Sequence, residues 1–184
     1  MKSFVLASAS PRRREILKKA GYNFVIAPSD VEEIRSDDLP AEDIAVKNAT
    51  IKAEDVFGRY KRVTVGADTV VVLDGVILGK PSDKAENAEF LRKLSGREHV
   101  VITGYCVIGE DGSRETGYDA AVVRFNELDE KRIEEYVESG NGADKAGGYG
   151  IQDGYGLVKS VKGNIDTVIG LPADRIKEIL ERCL

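Results

Sequence analysis

The sequence predicts an α/β fold in which a central mixed β-sheet is flanked by helices. Residues 4–7 are apolar and precede a helix start signal at Pro11, as expected for a buried strand that leads into a helix. Residues 63–73 are almost continuously apolar and rich in β-branched side chains, which is typical of a strand buried on both faces. The pair Asp74-Gly75 then favours a hairpin. Because strands, helices and hairpins alternate irregularly, we expect parallel and antiparallel pairs in one sheet.

The remaining elements follow from apolar periodicity and from helix start and stop signals. Helices are predicted after Ser10, from Pro40, after Ser82 as the cap, over residues 129–139 and after Pro172. Further strands are predicted over residues 23–28, 76–78, 100–108, 114–125 and 157–161.

The composition is that of an ordinary globular protein of 184 residues, with 42% apolar and 32% charged residues. No apolar run reaches the roughly 20 residues of a membrane span, and a signal-peptide pattern is lacking, so we expect a cytoplasmic protein with no membrane partner. A net charge of -5 argues against nonspecific nucleic-acid binding. Because the net charge is negative, any anion site must be a local cluster of lysine and arginine.

The two cysteines, Cys106 and Cys183, lack metal-binding spacing.

Three arginines, Arg12, Arg13 and Arg14, stand in the first turn of the first predicted helix. Ser10 is placed as its N-cap and Pro11 as its first residue. Cations are unfavourable there, because a helix N-terminus carries partial positive charge. The arrangement is explained if backbone N–H groups and arginine side chains hold an anion, for which a polyphosphate is the natural candidate. The alternative is a solvated basic helix start.

Asp68 stands inside the apolar strand predicted over residues 63–73. A carboxylate at such a position is costly unless it is paired or binds a cation. Its neighbours Gly66 and Ala67 leave space beside it, which suits a carboxylate that holds Mg²⁺ or takes a proton from water. The alternative is a satisfied core carboxylate without a chemical role.

Two lysines are candidates for phosphate binding. Lys80 lies between Gly79 and Pro81, so its charge is carried by a turn with little steric bulk, and Lys52 lies on the predicted second helix. Each is a weak signal alone, because most surface lysines have no special role.

Residues 140–156 contain seven glycines and also Tyr149, Ile151 and Gln152, which makes the segment too apolar for a flexible linker. We predict a loop whose backbone approaches another group closely, so that Lys145 and Gln152 can contact a ligand. The alternative is a glycine-rich turn with Tyr149 packed in the core.

Six short motifs occur in an order that resembles the Maf family across nearly the whole chain. They are SASPRR at residues 8–13, GADT at 66–69, GKP at 79–81, LSG at 94–96, TG at 103–104 and AGGYGIQ at 146–152. The resemblance implies one domain over residues 1–184, with an elongated two-lobed fold related to the inosine triphosphate pyrophosphatases and an active cleft between the lobes. It also implies a cytoplasmic nucleoside triphosphate pyrophosphatase that uses Mg²⁺ or Mn²⁺ and forms a homodimer, with a link to septum formation in some members.

The resemblance also assigns roles by position. Asp68 matches the family's proton acceptor, and Glu33 matches an acidic position near the metal. Ser8, Arg13, Lys52 and Lys80 match positions for phosphate handling, to which we add Ser10 in the same turn and Lys145 in the glycine-rich loop. Arg12, Thr69 and Gln152 match the positions that separate substrate branches, and this combination resembles the members that act on dTTP and UTP.

The glutamine has a physical rationale, because an amide offers a donor and an acceptor that complement the O4 and N3–H edge of uracil or thymine. The branch that acts on 7-methyl-GTP has a glutamate at this position, and a carboxylate accepts only.

Two features depart from the family pattern. The acidic segment reads Asp30-Val31-Glu32-Glu33 where an Asp-Glu pair is more usual, so either glutamate can be the one near the metal. Asp153 follows Gln152 where a glycine is common. Two alternatives from other functional classes are a nucleotide-binding regulator of septum formation with little hydrolysis and a pyrophosphatase for inosine or xanthosine triphosphate.

Overall fold

Seven strands form one mixed sheet in the computed structural model, which describes residues 3–36 and 38–184. The strands are β1 (Phe4–Leu6), β2 (Phe24–Ile26), β3 (Thr64–Leu73), β4 (Val76–Leu78), β5 (Glu98–Ile108), β6 (Arg114–Phe125) and β7 (Val158–Lys162). The helices are α1 (Pro11–Lys19), α2 (Ala41–Tyr60), α3 (Lys84–Leu94), α4 (Glu130–Ser139), α5 (Ile165–Ile169) and α6 (Ala173–Cys183). None of these helices is long and apolar enough to cross a bilayer.

The strand order is β2-β1-β3-β5-β6-β7, with β4 paired to β3. Strand β1 runs parallel to both neighbours, so that Phe4 lies opposite Phe24 and Val5 lies opposite Thr64. Helices α1 and α2 supply the crossovers that parallel pairing requires. Strands β3 and β4, and β6 and β7, are antiparallel. The sheet is therefore mixed and flanked by helices, which confirms the predicted fold class.

Two details of the predicted elements are wrong. Helix α3 is capped by Asp83, whose carboxylate accepts from the N–H of Glu86 at 2.8 Å, whereas Ser82 was expected to be the cap. The N–H of Ser82 instead donates to the Glu86 carboxylate at 2.6 Å, which moves the helix start by one residue. Helix α5 was not predicted, because five residues are too few to show helical periodicity.

The chain divides into two compact units. The first comprises Met1–Thr69, Thr103–Asp119 and Gly170–Leu184, and the second comprises Val70–Ile102 and Ala120–Ile169. In the first unit, apolar side chains of α2 pack against the sheet, with Ala49 and Ala53 beside Cys106. The core of the second unit includes Leu91, Leu94, Phe125 and Tyr136.

Helix α2 lies directly on the sheet at two glycines. A Cβ atom on Gly66 of β3 would lie 2.3 Å from the carbonyl oxygen of Ala49, and one on Gly104 of β5 would lie 2.3 Å from the carbonyl carbon of Ala45. Both distances are far below van der Waals contact, so only glycine allows this approach. The close packing brings the polar residues of α2 next to β3.

Candidate functional site

Asp68 of β3 lies at the centre of a charged cluster in the first unit. The residue is only 7% exposed, and its Oδ1 accepts a hydrogen bond from Lys52 Nζ at 2.6 Å. The same ammonium group donates to Glu33 Oε1 at 2.7 Å. One lysine of α2 therefore bridges two carboxylates, and this pairing offsets the cost of placing a charge in an apolar strand.

Asn48 connects this cluster to the segment that carries Glu33. Its Nδ2 donates to Asp68 Oδ2 at 3.3 Å and to the carbonyl of Ile34 at 3.2 Å, while its Oδ1 accepts from the N–H of Ile34 at 2.7 Å. Asn48 and Lys52 share a face of α2 because they are four residues apart. Asn48 is a site residue without a sequence prediction, although a polar residue among the apolar positions of this helix is a usable signal.

Glu33, rather than Glu32, shares the Lys52 ammonium with Asp68, and Glu32 is exposed. Oxygen ligands suit Mg²⁺ and Mn²⁺, and Mg²⁺ is commonly held by one or two carboxylates together with substrate phosphates. Within residues 3–36 and 38–184 no group of three or more His, Cys, Asp or Glu side chains is placed to hold a metal ion. Asp68 and Glu33, which both accept from the Lys52 ammonium, are the two carboxylates of this site that could supply oxygen ligands to such a cation.

The turn before α1 has the predicted local structure. The Ser10 hydroxyl accepts from the N–H of Arg13 at 3.5 Å and caps the helix, with Pro11 in its first turn. The N–H of Ser10 in turn donates to Ser8 Oγ at 3.2 Å. The two serines therefore fix the backbone from which the arginines project.

The guanidinium of Arg13 donates three hydrogen bonds within the first unit. Its Nε donates to the carbonyl of Gly170 at 2.7 Å, Nη1 to Ser8 Oγ at 3.0 Å and Nη2 to Thr69 Oγ1 at 3.2 Å. The Thr69 hydroxyl also lies 2.9 Å from the Thr103 hydroxyl. Three predicted residues, Ser8, Arg13 and Thr69, are thus brought together. Thr103 belongs to the TG motif but had no predicted role, and Gly170 carried no sequence signal.

The charges of this site act on Arg13. Burial is the largest influence and lowers the pKa of the guanidinium, Asp68 and Glu33 raise it, and Arg12 lowers it. Arg12 itself is half-buried. Arg13 Nη2 donates to Thr69, the residue that follows Asp68, so the arginine lies beside the Lys52 cluster.

Three other predicted residues, Lys80, Lys145 and Gln152, lie in the second unit. Lys80 is exposed and follows Gly79, whose carbonyl accepts from the N–H of Gly147 at 3.0 Å. This hydrogen bond ties the lysine turn to the glycine-rich segment.

The glycine-rich segment is an ordered loop with two 3₁₀ turns, Ala146–Gly148 and Ile151–Asp153, rather than a linker. Gln152 is exposed on the second turn. Lys145 is only 12% exposed; its ammonium donates to the carbonyl of Asn141 and lies 3.5 Å from Asp153 Oδ2. Lys145 thus braces the loop, while Gln152 is presented to solvent.

The fold and the site define an α/β protein with a mixed sheet in which a lysine joins a buried aspartate to a glutamate, next to an arginine of the first helix. The chain belongs to the Maf family, because the family model described as "Maf-like protein" matches residues 3–183. This confirms the resemblance seen in the six motifs.

Relatives of known name cover nearly the whole chain. A dTTP/UTP pyrophosphatase of Thermococcus gammatolerans is 47% identical over 178 residues, which are 96% of this chain and 95% of the relative. A dTTP/UTP pyrophosphatase of Pyrococcus furiosus is 42% identical over 184 residues, covering 98% and 95%. The structure of a HAM1 protein from Coxiella burnetii has a TM-score of 0.57 at 15% identity, covering 99% of this chain and all of that one, and this likeness concerns the fold alone.

Proposed function

We propose that this protein hydrolyses dTTP and UTP between the α and β phosphates, giving the nucleoside monophosphate and pyrophosphate. The observation that carries the proposal is the bridge from Lys52 to Asp68 and Glu33, at 2.6 and 2.7 Å, within reach of the Arg13 charge. The names of the full-length relatives support the same activity and the same nucleotides.

Cationic side chains bind the triphosphate in this proposal. Arg13 is held by Ser8 and Thr69 with its planar fork already oriented, which suits recognition of phosphate oxygens. Lys52 and Lys80 add point charges, and the N–H groups around Ser10 can donate to a phosphate at the start of α1. Together these groups stabilise the charge that develops on departing pyrophosphate.

Asp68 is the proposed general base. Its carboxylate accepts the proton of the water that attacks the α-phosphorus, while Asn48 and Lys52 hold it in position. Asp68 and Glu33 would hold a Mg²⁺ or Mn²⁺ ion, which when bound neutralises phosphate charge and lowers the pKa of a coordinated water. Lys52 is a second cation at the same carboxylates and holds them together.

Base choice is assigned to Gln152, with Thr69 and Arg12. The exposed Gln152 amide can pair with the O4 and N3–H edge of uracil or thymine. A base that leaves these polar groups unpaired is rejected, because an unsatisfied polar group costs binding free energy.

We also infer from the family resemblance that the protein acts in the cytoplasm as a homodimer of 20.0 kDa chains. Light scattering on the purified protein tests the dimer, which requires twice the mass of the chain. A role in septum formation without hydrolysis is the competing hypothesis, and the assay below separates the two.

The deciding experiment measures pyrophosphate release with Mg²⁺ from a panel of UTP, dTTP, ITP, XTP and 7-methyl-GTP. We expect UTP and dTTP to be hydrolysed fastest, with the monophosphate as the second product. Preferential hydrolysis of ITP or XTP would instead assign the protein to the other pyrophosphatase class, and no turnover of any nucleotide would favour the regulator.

A further inference from the structure

One tyrosine of α4 holds both ends of the short segment that contains Gln152. The Tyr136 hydroxyl accepts from the N–H of Gly150 at 2.9 Å and donates to Asp153 Oδ2 at 2.6 Å. A phenol can do both because its oxygen is a donor and an acceptor. We call these two hydrogen bonds the Tyr136 bridge, and Gln152 lies between the two residues that it joins.

The Tyr136 bridge is rigid at its base. Tyr136 is fully buried in the core of the second unit, and its ring meets that of Tyr155 edge-on at 5.2 Å between centroids. The Asp153 carboxylate is also paired with the Lys145 ammonium at 3.5 Å, and both side chains are largely buried. Removal of the hydroxyl would therefore leave buried polar groups without their partner.

The backbone of the loop is packed to accept this bridge. A Cβ atom on Gly150 would lie 2.6 Å from Asp153 Oδ2 and 2.8 Å from Lys145 Cε, so glycine is needed for the two side chains to reach their positions. The surrounding chain is permissive, since Gly148 and Gly154 have φ values of 72° and 83°. Side-chain hydrogen bonds therefore fix this segment together with one backbone hydrogen bond, from the N–H of Asp153 to the carbonyl of Gly150 at 3.2 Å.

We propose that Tyr136 and Asp153 are positioning residues for base recognition: the Tyr136 bridge fixes the 3₁₀ turn and thereby the Gln152 amide. The inference deepens the proposed function and rests on it for the role of Gln152. An amide discriminates between bases only if its donor and acceptor are held in place, since hydrogen bonds weaken steeply with distance and angle. Asp153, a departure from the family pattern, is in this chain part of the loop support.

The test variant is Tyr136→Phe, which keeps the buried ring and removes both hydrogen bonds. Its matched control is Tyr155→Phe, which removes the hydroxyl of the tyrosine packed against Tyr136. We expect Tyr136→Phe to raise KM for UTP about tenfold with little change in kcat, and to narrow the UTP-to-GTP preference by a similar factor. Tyr155→Phe keeps the wild-type values.

A conservative variant separates positioning from general destabilisation. Asp153→Asn retains an acceptor for the Tyr136 hydroxyl and loses only the charge, so its UTP-to-GTP preference should lie between those of the wild type and Asp153→Ala. The proposal would be overturned if Tyr136→Phe, Asp153→Asn and Asp153→Ala all lowered kcat equally for UTP and GTP and left the UTP-to-GTP preference unchanged.

Amide hydrogen exchange tests the bridge without any substrate. In the free protein, exchange in residues 150–154 should be about fivefold faster or more in Tyr136→Phe than in the wild type and Tyr155→Phe. Unchanged exchange in this segment would overturn the bridge. If the wild type does not hydrolyse UTP, the proposed function is contradicted. Faster exchange in Tyr136→Phe than in the wild type and Tyr155→Phe would still support the bridge.

Discussion

The Lys52 cluster and the Gln152 loop are both polar sites, yet they are held in different ways. Asp68 and Lys52 project from a central strand and a long helix that touch at Gly66, so regular backbone sets their 2.6 Å contact. Gln152 projects from a 3₁₀ turn among positive-φ glycines, and three side chains secure that turn.

This difference indicates which of the two regions can be shifted by a single amino-acid substitution. A charge on a strand cannot be moved without moving the sheet, whereas a loop secured by side chains can be shifted by one substitution. The proposed chemistry accordingly lies in the first region, and the proposed choice of base lies in the second.

After the loss of Asp68 itself, the largest expected effect comes from Arg13→Lys in the first region. A lysine has no planar fork and cannot donate to Gly170, Ser8 and Thr69 together. We expect kcat for UTP to fall about 1,000-fold, the upper range for loss of a group that stabilises developing charge. Steady-state pyrophosphate release measures this, and the exposed neighbour Arg14→Lys is the control. A variant within threefold of wild type would separate Arg13 from the chemistry.

Gly66→Ala tests the backbone contact behind the cluster. The added methyl would overlap the Ala49 carbonyl at 2.3 Å, so we expect a loss of about 3 kcal/mol of unfolding free energy, near the upper end for overpacking. Gly58→Ala, on the exposed face of α2 with nothing within 4 Å, should instead stabilise by about 0.5 kcal/mol. Urea denaturation compares the two, and equal stabilities would contradict the packing argument.

The loop region also depends on a buried neutral histidine. His99 Nε2 lies 2.6 Å from the Tyr149 hydroxyl, and burial lowers the pKa of His99 from 6.5 to about 4. Below pH 6.5 the unfolded chain binds a proton on His99, whereas the folded chain binds it only near pH 4. The free energy of unfolding is therefore at its full value above pH 6.5 and decreases as the pH falls towards 4.

Because of His99, the free energy of unfolding should fall by about 2 kcal/mol between pH 8 and pH 5. Urea denaturation of wild type and His99→Phe at both pH values measures the difference. If His99→Phe loses as much unfolding free energy between pH 8 and pH 5 as the wild type does, His99 is not the cause of the acid sensitivity.

The smallest expected effect is a change in the preference for UTP over 7-methyl-GTP. Gln152→Glu replaces a donor and acceptor by an acceptor alone, so the ratio of kcat/KM for UTP to that for 7-methyl-GTP should fall about tenfold. An unchanged ratio would show that Gln152 does not contact the base, and normal thermal unfolding of the variant is the control for folding.

Much of the first region is predictable from sequence because its signals are local. A capped helix start fixes the serine-arginine turn, and a lone aspartate in an apolar strand marks Asp68. That Glu33 pairs with Lys52 needed coordinates, because Glu32 and Glu33 both precede the same loop. Asn48 needed them as well, because its partners Ile34 and Asp68 are distant in sequence.

The support of the second region was less accessible to sequence reasoning. Tyr136 gave no signal, because a tyrosine on an amphipathic helix is ordinarily a core residue. The donor to its hydroxyl, Gly150, and the acceptor from it, Asp153, lie 14 and 17 residues away. Lys145 was expected to contact substrate, and its place against Asn141 and Asp153 follows from the path of the loop.

The most direct test of the central claim is the Asp68→Asn variant, studied for turnover and binding together. With Mg²⁺ and UTP, pyrophosphate release should fall about 1,000-fold or more, because the amide cannot accept the proton of the attacking water. Calorimetric titration with a non-hydrolysable UTP analogue should show affinity within a few-fold of wild type. Turnover close to that of the wild type would contradict the assignment of Asp68 as the base.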